Sequence, residues 1–188
     1  MSDPNISDKK RFTEGRRRFG FTLIELLVVV SIIGLFSSVV MASLNSVRRE
    51  ARNTFRNKVV DEYTKALYLY YDTNGEFPDP MDGSGGSPIT GYSCLAEISS
   101  TCSWAGYSIP ANIVLNNKLS QYIKVGEPLL SVNSGGSSYQ GPLYSCRTSP
   151  PVCTGERILW MLEEIQTCSH NAQSIPWIDR TLCDLTLE

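Results

Sequence analysis

Residues 16–30, Arg-Arg-Arg-Phe-Gly-Phe-Thr-Leu-Ile-Glu-Leu-Leu-Val-Val-Val, decide how the rest of the chain is read. Three arginines stand directly before an apolar run, and Glu25 stands inside that run. From Phe21 to Leu44 it is the one charged side chain. As a helix this run would be ~36 Å long, enough to cross a hydrocarbon core of ~30 Å. The basic cluster Arg16, Arg17 and Arg18 holds the N-terminal side in the cytoplasm and exports the chain beyond the apolar run. A second basic set (Arg48, Arg49, Arg52, Arg56) weakens that bias. A secretory signal peptide would have a shorter apolar core and a small-residue cleavage site after it. A plain membrane anchor fits the length but leaves a costly carboxylate unexplained.

The remaining composition is that of a folded protein, 41% hydrophobic and 19% charged, with a formal net charge of −2. The charge is unevenly placed. Residues 1–20 hold six Lys or Arg against three acids, whereas residues 75–188 hold five basic and eleven acidic residues. An acidic far end argues against nucleic acid as a partner. All six cysteines (Cys94, Cys102, Cys146, Cys153, Cys168, Cys183) lie beyond the apolar run. The even count suggests disulfides in an oxidising compartment, and the spacings C-x7-C, C-x6-C and C-x14-C are unlike the close pairs of zinc sites. The sequential pairing Cys94–Cys102, Cys146–Cys153, Cys168–Cys183 is favoured because each pair brackets a short loop. Charge placement and cysteines together make the C-terminal part an extracytoplasmic head.

Gly20-Phe21-Thr22-Leu23-Ile24-Glu25-Leu26-Leu27-Val28-Val29-Val30 resembles the cleavage and methylation signature of type IV prepilins and type II secretion pseudopilins. The matching pattern is a basic leader, a glycine, an aromatic residue, and an apolar helix with a glutamate five residues after the glycine. The resemblance implies cleavage between Gly20 and Phe21 by a prepilin peptidase and N-methylation of the new Phe21 amine. It further implies that Glu25 serves assembly with other pilin or pseudopilin subunits, in contact with the lipid bilayer and the inner-membrane assembly machinery. Gly20 suits such a site chemically, since a residue without a side chain lets a peptidase approach the backbone. Gly34 also matches the family's apolar segment. Where many members carry a helix-bending proline, this chain has Ala42.

Helical periodicity continues past the apolar run. Val47, Ala51, Phe55, Val59, Tyr63, Ala66 and Tyr70 recur every three or four residues, and no proline interrupts residues 21–74. One helix of ~80 Å is expected, its first half an anchor and its second an amphipathic spine, with Asn74-Gly75 as its stop. Phe55 and Val59 are expected to face a sheet. The arginines off that stripe read as a solvated face that could favour anionic lipid headgroups. The segment YLYYDTNGEFPDP resembles the aromatic helix end and Gly-x-aromatic-Pro of major pseudopilins. Residues 81–88 and the stretch SVNSGGSSYQGP read as loops. Residues 112–124 read as a short helix, and PLYSCR and RILWMLEE as two strands. From Thr167 onward little pattern is visible.

The predicted organisation is a cleaved basic leader (1–20), a membrane and assembly helix (21–44), its amphipathic continuation (45–74) and an exported head (75–188). The fold class is α+β and pilin-like, a long N-terminal helix packed on a small antiparallel sheet with disulfide-rich loops. The function implied is a structural subunit of a type IV pilus or type II secretion pseudopilus. The alternative is a single-span, disulfide-stapled binding protein that does not polymerise. Catalysis is not expected: His170 is the one histidine, and no P-loop or dinucleotide motif occurs. No metal or cofactor is expected, and Asp72, Asp79 and Asp82 lack an EF-hand pattern. Glu163 and Glu164 read as the solvent end of a strand.

Overall fold

A computed structural model describes residues 20–81, 91–97, 100–126, 128–129, 131–146 and 155–187, except the side chain of Ala42. The chain divides into two compact units, Met1–Asn45 and Ser46–Glu188. A 52-residue helix, α1 (Leu23–Asn74), contributes to both. The architecture is α+β and pilin-like.

In the first unit the described chain is helical from Leu23, and Leu23, Ile24, Leu35, Phe36 and Val39 are all exposed. This stretch is long and apolar enough to cross a membrane. Three serines in it turn inward on the backbone: the hydroxyls of Ser31, Ser37 and Ser38 donate to the carbonyls of Leu27, Ile33 and Leu35. Such back-bonding satisfies these hydroxyls without water.

In the second unit α1 packs on a five-stranded antiparallel sheet. Its strands are β1 (Tyr92–Cys94), β6 (Leu143–Cys146), β7 (Glu156–Glu163), β9 (Arg180–Thr186) and β8 (Gln173–Trp177), in that spatial order. Two ribbons accompany it: β2 (Thr101–Trp104) with β3 (Tyr107–Pro110), and β4 (Val132–Ser134) with β5 (Ser137–Tyr139). The short helix α2 (Ile113–Leu119) starts on Asn112, whose side chain accepts from the Leu115 N–H.

Strand alternation distributes the side chains of β7 between the two faces of the sheet. Ile158, Trp160 and Leu162 join Val60, Tyr63, Ala66 and Leu67 of α1, together with Tyr144, Leu115 and Leu119. Leu159 packs with Leu143, Ile109 and the Cys94–Cys102 disulfide, and Met161 with Val132 and Tyr139. Covered on both faces, β7 is apolar along most of its length. Cys168 is bonded to Cys183 of β9. The expected Cys146–Cys153 pairing involves Cys153, which lies outside the described residues, as does most of the 81–88 loop.

Several expectations are corrected. The stripe of α1 that faces the sheet is Asn53, Arg56, Val60, Tyr63, Ala66 and Leu67: the expected stripe holds at Tyr63 and Ala66, with Tyr70 packed against the core, and fails in its first half, at Val47, Ala51 and Phe55. Phe55 is 56% exposed and Val47 likewise, while Val59 packs at the core margin. The buried face begins with polar residues, so apolar periodicity misplaced its start. SVNSGGSSYQGP is not a loop but the β4–β5 ribbon, turning on Gly135 and Gly136 at positive φ. The tail from Thr167 forms the β8–β9 hairpin, with β9 inside the sheet between β7 and β8.

Candidate functional site

The helix start is built by two side chains. Thr22 precedes α1, and both its backbone N–H and its hydroxyl donate to Oε2 of Glu25, at 2.9 and 2.7 Å. The Glu25 N–H points back to Thr22 Oγ1 at 3.3 Å. This reciprocal arrangement is a capping box: each side chain satisfies an N–H that the helix cannot pair. Thr22-x-x-Glu25 is its sequence signature, a signal that the reading of Glu25 as a lone carboxylate overlooks. Both contacts fall on Oε2. Around the carboxylate, Phe21, Ile24, Val28 and Val29 border a shallow apolar groove on the helix surface.

The two glycines of this segment are not required by packing within the chain. A Cβ added at Gly20 or Gly34 would meet nothing within 4 Å among the described residues. Glycine inside a helix is disfavoured by about 1 kcal/mol against alanine, so Gly34 carries a local cost that no described contact offsets.

A second polar cluster lies where α1 meets the end of β7. Glu163 takes a two-pronged contact from Arg52, Nε to Oε1 at 2.7 Å and Nη2 to Oε2 at 2.6 Å. Nη2 of Arg56, a side chain 2% exposed, lies 3.1 Å from Oε1. Asn53 donates to the Glu163 carbonyl and accepts from the Glu163 N–H, and Arg49 pairs with Glu164 at 2.8 Å. The Arg52 hydrogen bond in particular holds the Glu163 carboxyl below its ordinary pKa. Burial lowers Arg56, though a guanidinium stays charged regardless. The expectation of a solvated arginine face is therefore corrected: Arg49, Arg52 and Arg56 fasten the helix to the sheet. Glu163 and Glu164 are their counter-ions rather than a free strand end. A further link is Trp160, buried, whose indole N–H donates to Asn57 at 2.9 Å.

His170 stands in a tight turn, its Nδ1 3.8 Å from Asp61. Among the described residues no group of three or more His, Cys, Asp or Glu could hold a metal ion.

Residues 15–41 match the prokaryotic N-terminal methylation motif, the prepilin-type cleavage and methylation motif of type IV pilins and pseudopilins. The match contains Gly20, Phe21, Thr22, Glu25 and Gly34 and stops before the head. It points to a processed, pilin-like precursor with a structural role and a membrane-anchoring helix. No curated protein and no solved structure matches the chain.

Proposed function

We propose that the chain is a filament subunit of a type IV pilus or a type II secretion pseudopilus, cut between Gly20 and Phe21 by a prepilin peptidase. The new Phe21 amine is N-methylated, residues 21–44 hold the subunit in the membrane and then in the filament core, and the remainder is an extracytoplasmic head. The observation that carries this reading is the match over residues 15–41 on a helix whose apolar side chains are exposed all round. A bare glycine with open space at its Cβ supports a backbone presented to a protease.

Glu25 is central to the mechanism. Within the chain, Thr22 occupies only Oε2. Oε1 remains as the acceptor for a cation from outside, and the cleaved Phe21 amine of a neighbouring subunit is a cation at the edge of the same apolar segment. In low dielectric an unpaired charge is penalised and a pair attracts more strongly than in water. The axial stagger that joins the two groups is then favoured over all others. Gly34 gives neighbouring helices a place of close approach.

Two substitutions separate the cap from the charge pair. Glu25→Gln keeps a side chain able to complete a capping box but removes the negative charge. The expected result is normal membrane insertion and cleavage with filament assembly lost. Thr22→Val removes the hydroxyl and keeps the charge, and should assemble. Filaments in normal yield from Glu25→Gln would show that Glu25 acts only as a cap and would overturn this mechanism.

A further inference from the structure

On the face of the sheet opposite α1, to which strand alternation sends Met161, lies a cavity of about 70 Å3. It is lined by Trp104, Ala105, Tyr139, Met161, Trp177 and Leu182. Two of the chain's three tryptophans stand here. Tyr139 lies between them, its ring centre 5.2 Å from that of Trp104 at 88° and 6.5 Å from that of Trp177 at 71°. Neither pair stacks face to face, so the three rings meet as walls of a box.

The walls come from three hairpins, and hydrogen bonds lock these together. Ser103 and Gln140, next to Trp104 and Tyr139, exchange backbone bonds at 3.1 and 2.6 Å. Ser134 Oγ, in the ribbon that carries Tyr139, donates to Asp179 Oδ1 at 3.0 Å, and Arg180 Nε donates to the Asn133 carbonyl at 3.3 Å. Two of the turns hold side chains in the left-handed region: Ala105, after Trp104, has φ 51°, and Ile178, after Trp177, has φ 57°. Glycine or asparagine is usual in such two-residue turns. Strain of this kind persists where the surroundings over-determine it, and it gathers at ligand clamps. Glycine would relieve Ala105 but remove the methyl group that lines the cavity.

The cavity is far below the size of a drug-like site and suits one compact group. Its accessible lining is nearly all apolar. Among the lining side chains the indoles only donate, and the Tyr139 hydroxyl is the one strong acceptor. A primary ammonium would leave donors unpaired there, and a sugar or a phosphate would leave more. Aromatic faces are negative and attract cations. A cation without hydrogen-bond donors meets both conditions, and that is a quaternary ammonium. The surrounding charge agrees: residues 75–188 hold five basic and eleven acidic residues, and Arg180, cross-strand from Trp177, is answered by Asp179 at 3.2 Å. We propose that this aromatic cage binds a trimethylammonium group, carried by a free choline-like solute or by a choline headgroup. The proposal concerns the head alone and is independent of cleavage and polymerisation.

The test is saturation-transfer NMR on the full chain in a maltoside detergent, read at the methyl protons of each probe. The probes are choline, glycerophosphocholine and dimethylbutanol, the neutral isostere of choline with a tert-butyl group in place of the ammonium. Transfer to choline or glycerophosphocholine is expected, with a Kd at least about fivefold below that of dimethylbutanol. The lower Kd of the two quaternary probes assigns the group to a solute or to a headgroup. Trp177→Leu, at a position 42% exposed, keeps an apolar wall but removes its π face, and should raise that Kd at least about fivefold. No transfer to either quaternary probe, or equal affinity for dimethylbutanol in the parent chain, would overturn the proposal without any variant. An unchanged Kd in Trp177→Leu would overturn it equally.

Discussion

The two halves of α1 share one backbone conformation and differ in almost everything else. Between Leu23 and Leu44 the apolar side chains are exposed on every side, and the serines bond back to their own helix. Between Asn53 and Leu67 one narrow face is buried, and it mixes Val60, Tyr63 and Leu67 with Asn53 and Arg56. A helix that is apolar all round requires an apolar surrounding, lipid or other helices. A helix with one buried stripe requires a single partner surface, and the sheet supplies it. The contrast teaches that greasiness marks where α1 meets other molecules, whereas a buried polar cluster marks where it meets its own head.

Substitutions in the two halves should therefore diverge. The largest effect is expected in the shared core: Trp160→Ala removes a fully buried indole and its bond to Asn57, and should destabilise the head by about 3–5 kcal/mol. Val29→Ala, in the exposed half, should leave the melting temperature of the head unchanged. Thermal unfolding followed by near-UV circular dichroism compares the two directly, and equal effects would break the contrast.

Next in size is the latch at the end of β7. Glu163→Gln leaves the buried Arg56 without its counter-ion. We expect a loss of about 2–3 kcal/mol, below the full cost of breaking a buried pair because Glu163 keeps some contact with water. The same pair sets an acid dependence. Because the native Glu163 pKa is depressed, its stabilisation is fully present above the unfolded value of about 4.3 and is lost as pH falls through the lower native value. Urea midpoints measured from pH 6 downward should show this loss in the parent chain and a smaller one in Glu163→Gln. The smallest effect is expected at Phe55. Although its spacing suggests core, it is exposed, and Phe55→Ala should change head stability by less than about 0.5 kcal/mol. A larger loss would restore the stripe through Phe55.

How much of this was legible beforehand depended on whether burial and polarity agreed. β6, β7 and α2 were visible because their apolar residues follow the strand or helix period. β8 was hidden because it is an exposed edge strand carrying Pro176, a residue suited to an edge but discouraging to a strand reading. β9 was hidden because Thr181 and Asp184 are buried polar residues within it. The ribbon at 132–139 was masked by serine and glycine. At the helix start, Gly20 and Glu25 announced themselves through the motif, and Thr22 did not until its hydroxyl was found on the carboxylate. The arginine latch could not be read at all, since its partners are 111 residues apart in the chain.

The central claim, that residues 1–20 are a leader and Phe21 begins the working subunit, is tested most directly at the mature N-terminus. Mass spectrometry of protein extracted from the membrane fraction should give a chain that starts at Phe21 and carries one N-methyl group. An intact leader, or a chain cut beyond Leu44, would contradict the account.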